Sequence, residues 1–71
     1  MKVRVIQLDT ELQATLETGA KLLSKDPRDL GLQLRALGIR PEDVTMPDWR
    51  EGDTAPLTGA KIALLMALRG L

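Results

Sequence analysis

The sequence predicts a mostly α-helical fold: one N-terminal β-strand followed by three helices, over about 11–24, 27–37 and 58–70. Three observations lead there. One near-alternating apolar stretch opens the chain, two leucine-bearing segments carry helix-start signals, and the last segment holds the longest apolar run.

Val3, Val5, Ile6 and Leu8 are apolar with near-alternation, the pattern of a short strand. Its register is open. With Ile6 and Leu8 inward, Val3, Val5 and Gln7 face out and Arg4 faces in. With Val3 and Val5 inward, Lys2 and Arg4 face out, and a bulge near Ile6 is needed to return Leu8 to the core. No second strand pattern of this quality follows, so the strand is expected to pair with the same strand of another copy.

Thr10-Glu11-Leu12-Gln13 has the form of a capping box, and Leu12, Leu16, Ala20 and Leu23 follow at helical spacing. Gly19 in the middle of that helix implies that something packs close against it, because glycine there costs about 1 kcal/mol relative to alanine. Asp26-Pro27 supplies a cap and a first-turn proline for the second helix. Leu30, Leu34 and Leu37 mark its inner face, Gly38 stops it, and Ile39 is placed for a Schellman contact back to Leu34. Residues 40–57 read as a long acidic loop with Pro41, Pro47 and Pro56, with a short helical turn near Pro41. Ile62-Ala63-Leu64-Leu65-Met66-Ala67-Leu68 is apolar nearly all round, which predicts a helix buried on most sides.

The 71 residues form one small domain at most. A chain near this length buries only about 60% of its unfolded surface, so it needs a stabilising device. With no Cys and no His, disulfides and a structural zinc site are closed. A second copy remains, and a two-fold dimer is the simplest arrangement. No stretch has signal-peptide form, and the apolar run is far short of the roughly 20 residues that span a bilayer. A soluble, cytoplasmic protein without membrane contact is expected.

Net charge is zero but unevenly placed. Residues 1–39 carry six basic and five acidic side chains, residues 40–57 two basic and five acidic, and residues 58–71 two basic and none acidic. His, Cys and Tyr are absent and Ser24 is the only serine, so the usual general bases and nucleophiles are missing. Phosphate-loop and EF-hand spacings are also absent. The expectation is a non-enzymatic regulator with no cofactor, no metal and no small-molecule substrate.

Residues 3–37 resemble the ribbon-helix-helix family of dimeric DNA-binding regulators. The resemblance is carried by the strand Val3 to Leu8, by Leu8-Asp9-Thr10-Glu11-Leu12, by Leu16 and Ala20-Lys21, by Ser24-Lys25-Asp26-Pro27-Arg28, and by Leu30, Leu34 and Leu37. It implies that two copies pair their strands into a ribbon that enters the major groove, with Lys2, Arg4 and Gln7 there. Lys25 and Arg28, near the start of the second helix, would face phosphates. Valines on the groove face and the neutral charge depart from that pattern.

The competing expectation is a protein-binding inhibitor, antitoxin-like factor or assembly helper, of the kind that phages and other mobile elements carry. Its binding residues would be Trp49, Ile62, Leu65 and Met66. Trp49 is the only aromatic residue and reads either as a core ring or as an interface anchor. Ala60, Ala63 and Ala67 form a small-residue strip that lets another helix, of this chain or a partner, come close.

Overall fold

A strand that alternates Val-Arg-Val can bury its valines only if something covers one of its faces. In the computed structural model, which describes residues 1–47 and 55–70, that cover is a pair of helices lying on one side of a four-stranded mixed sheet. The strands are β1 (Val3–Gln7), β2 (Leu12–Leu16), β3 (Lys21–Ser24) and β4 (Val44–Thr45), in the order β3-β2-β1-β4. The helices are α1 (Pro27–Ala36) and α2 (Thr58–Arg69), and a single 3-10 turn, Pro41–Asp43, precedes β4.

The fold is therefore α+β, and the expectation of a mostly helical chain with three helices is corrected. The helix expected over 11–24 is a β-hairpin. β1 pairs antiparallel with β2, Val5 opposite Ala14, and β2 pairs antiparallel with β3, Ala14 opposite Leu22. The reason lies in the sequence. Leu12-Gln13-Ala14-Thr15-Leu16 alternates with period two, and Leu12, Ala14 and Leu16 are all buried while Gln13 and Thr15 are not. Leucines four apart satisfy a strand as well as a helix.

Gly19 breaks the tie. Its φ of 93° is left-handed, and a Cβ there would meet nothing within 4 Å. The expected close packing at Gly19 is absent; the residue serves as the turn glycine between β2 and β3. Leu16 donates its N–H to the Ala20 carbonyl at 2.8 Å, and Gly19 donates to the Leu16 carbonyl at 2.9 Å.

β1 takes the second of its two registers. Val3 and Val5 face the helices and Arg4 faces out. The strand stops at Gln7, so the half-buried Leu8 needs no bulge: it belongs to the turn, where its N–H donates to the Glu11 carbonyl at 2.7 Å. β4 runs parallel to β1, Val44 beside Val3 and Thr45 beside Arg4. The strand expected to need a second copy thus finds partners on both sides within its own chain. The strand–helix–helix order behind the ribbon-helix-helix resemblance is replaced by three strands and then a helix. In the segment expected as a loop over 40–57, the short helical turn near Pro41 is the 3-10 turn, and Val44–Thr45, read as loop, is the sheet's fourth strand.

Helix α1 begins where the Asp26 carboxylate accepts the Arg28 N–H at 3.0 Å, with Pro27 in the first turn. It ends where Gly38, at φ 83°, donates to Arg35, and where Ile39 donates to the Leu34 carbonyl at 3.1 Å. Leu30 and Leu34 are buried, but Leu37 is the C-cap and is exposed rather than on the inner face. One core joins Val3, Val5, Leu12, Ala14 and Leu16 of the sheet to Leu30, Leu34, Leu64 and Leu68 of the helices.

The tightest point of the molecule is where the helices meet. A Cβ on Gly31 would lie 2.6 Å from the Ala67 Cβ and 2.7 Å from the Leu64 carbonyl oxygen. The helix that uses the small residue Ala67 for close approach is the chain's own α1. Arg28 lines a groove with Ala63 and Ala67, and a Cβ on Gly70 would meet the Arg35 guanidinium at 2.9 Å. Contacts that advance together along both helices mean that α1 and α2 run side by side in the same direction.

Candidate functional site

Helix α2 was expected to be buried nearly all round. It is instead buried along one stripe, Leu64, Ala67 and Leu68, and open on the opposite one. Ile62 and Met66 are 53% and 46% exposed, and Arg69, three residues after Met66, is exposed as well. Residues at i, i+4 and i+7 share a helix face, so these three form one outward line. Helix α1 presents a matching line, Arg28, Leu32 and Arg35, all exposed, with Leu32 at 49%. Between the two lines runs a shallow groove of about 280 Å³, lined by Arg28, Ala63, Met66 and Ala67. Its depth is limited because Gly31 has let the helices close beneath it.

Among the described residues, the charged side chains on these two lines are all arginines. Neither line contains a carboxylate, and α2 has no acidic residue at all. Asp29 of α1 is held elsewhere: it accepts from the Ser24 hydroxyl at 2.9 Å and from the Gln33 amide at 2.8 Å. Among the described residues no carboxylate lies within ion-pairing distance of Arg28, Arg35 or Arg69, and the exposed ion pair Arg40–Glu42, at 4.0 Å, involves none of the three.

The opposite face of the sheet carries Arg4, Thr15 and Lys21 in one row and Ile6, Gln13 and Leu23 in the next. At its end a more open hollow of about 270 Å³ is bordered by Lys2, Arg4, Thr15, Glu17 and Thr45. Here basic and acidic groups are mixed.

The expected DNA-contacting residues do not come together. Lys2 and Arg4 border the hollow on the sheet side, whereas Arg28 lines the groove on the helix side. Lys25 is exposed in the connection between β3 and α1. Gln7 is half-buried, and its side-chain amide donates to the Leu8 carbonyl at 2.8 Å and the Glu11 carbonyl at 3.1 Å. It closes the first hairpin turn, and its donors are already used. Gln7→Ala is accordingly expected to lower stability by about 1 kcal/mol, the usual worth of such bonds, measured by urea denaturation. An unchanged midpoint would show that the turn does not depend on it.

Of the residues expected to bind a protein partner, Ile62 and Met66 lie on the open line of α2. Leu65 is half-buried against the core and contributes mainly to folding. Trp49 lies outside the described residues. Leu32 was not singled out, although its position was readable: it stands about 200° around the helix from Leu30, so a face that buries Leu30 and Leu34 exposes Leu32.

Among the described residues no charged or polar side chain is buried, and no group of three acidic side chains is placed to hold a metal ion. No helix among them is long and apolar enough to cross a membrane. The class defined at this point is a two-layer α+β domain with an apolar, cationic helix surface. Comparison with protein-family profiles, curated proteins and solved structures finds no match.

Proposed function

We propose that the protein is a non-enzymatic binding protein that docks another protein on the outer surface of α1 and α2. The observation that carries this reading is the pair of exposed lines, Leu32 on α1 and Ile62 with Met66 on α2, on either side of a groove lined by Arg28, Ala63, Met66 and Ala67. Single exposed apolar residues are ordinary, but several grouped on adjoining helices are the usual mark of an interaction surface. The absence of buried titratable groups among the described residues supports a binding role, since catalytic groups depend on burial or charged neighbours for their tuning. The separation of Lys2 and Arg4 from Arg28 supports protein over DNA as the target.

A photo-crosslinking amino acid placed at Met66, and in a second preparation at Gln13 on the far side of the sheet, tests this in the native host. The expected result is a discrete protein adduct from position 66 that is missing from position 13. Adducts to nucleic acid, or equal adducts from both positions, would overturn it.

A further inference from the structure

Resting on that docking reading, we infer that the partner presents an acidic amphipathic helix: an apolar stripe for the groove, bordered by Asp or Glu. The charge pattern selects this occupant. Arg28 lines the groove beside Met66, the Arg35 guanidinium lies against Gly70 at the end of α2, and Arg69 follows Met66 on the outer line of α2; among the described residues no carboxylate is within ion-pairing distance of the three. Two side-by-side helices leave a furrow that accepts a third helix laid along them, read by apolar anchors one turn apart. Carboxylates beside those anchors would meet three guanidinium groups, which pair with carboxylates through two parallel N–H donors.

A second copy fits less well. Two-fold pairing of this surface with itself would bring the same three arginines of each chain to one interface, a like-charge arrangement that disfavours association. An anionic membrane shares the charge, but a furrow between helices offers a flat bilayer less contact than it offers a rod.

The test uses the full chain and two synthetic amphipathic peptides with the same leucine stripe, one with Glu and one with Lys on its polar face. Binding is followed by fluorescence anisotropy at low and high salt. The Glu peptide is expected to bind at least tenfold more tightly than the Lys peptide and to weaken as salt rises. Arg28→Glu with Arg69→Glu should reverse the preference, and Met66→Asp should abolish binding of both. Circular dichroism confirms the fold of each variant, and Arg28→Glu alone, which places an acid favourably in a first helical turn, serves if the double variant does not fold.

Equal binding of the two peptides, both lost in Met66→Asp, would overturn the acidic partner and leave the docking surface standing. If neither peptide binds while position 66 crosslinks to a protein, the same conclusion holds. Binding to phosphatidylserine vesicles without either peptide would assign the surface to a membrane. A dimer in sedimentation that Met66→Asp dissociates would assign it to a second copy. Either result overturns the inference.

Discussion

Gly31→Ala is expected to destabilise the protein by about 2 kcal/mol, although alanine is the better helix former. The added methyl would stand 2.6 Å from the Ala67 Cβ and 2.7 Å from the Leu64 carbonyl oxygen. Overpacking of this kind costs about 1–3 kcal/mol, and the backbone carbonyl, which cannot rotate away, places the cost near the upper end. The gain in helix propensity, about 1 kcal/mol, offsets only part of it. In a domain this size the loss lowers the melting temperature on the order of 10 °C. Combining it with Ala67→Gly removes one of the two obstructions, so the double variant should lose less than the sum of the singles. A melting temperature that holds or rises in Gly31→Ala would mean that the helices do not cross this closely.

Leu64→Ala is expected to be more damaging, and its contrast with Ile62→Ala tests the orientation of α2. The Leu64 side chain is fully buried in the core shared by sheet and helices, whereas Ile62, two residues earlier, is 53% exposed. Truncating a buried leucine costs about 2–5 kcal/mol, a large part of what holds together so small a domain. Ile62→Ala should fall within about 0.5 kcal/mol of the parent, as surface changes do. Urea denaturation of both variants decides the matter. Similar losses in the two would contradict the one-sided burial of α2, and with it the helix-face surface.

How far the sequence reveals this fold depends on how well each element is punctuated. Helix α1 is legible because its ends are marked by side-chain chemistry, Asp26-Pro27 at one and Gly38-Ile39 at the other. β1 is legible because valine alternates with arginine. β2 is ambiguous: Leu12 and Leu16 fit both periods, the deciding inward residue is only an alanine, and Thr10 to Gln13 imitate a helix start. Reading Gly19 as a turn glycine would have separated β2 from β3. β4 has no pattern to find, since two residues are too few for any period, and its position depends on β1 being there to pair with.

The site is partly legible for a similar reason. An apolar run longer than one face can bury must expose something, and that singles out Ile62 and Met66. Which flank they share, and with which arginines, depends on the side-by-side course of the helices, which rests on the contact at Gly31. No local pattern encodes that contact.

The two-residue pairing of β4 with β1 sets the order in which the molecule comes together. β1, β2 and β3 meet through short turns, so their ladder forms at small cost in chain entropy. Val44 can reach Val3 only after both hairpins and α1 lie between them, a non-local closure of the kind that slows folding. It is then held by a register of two positions, Val3 with Val44 and Arg4 with Thr45. The three-stranded meander is thus the locally closed part, and β4 is the clasp, its short ladder backed by Val44 and Met46 against the core and by the buried Pro47.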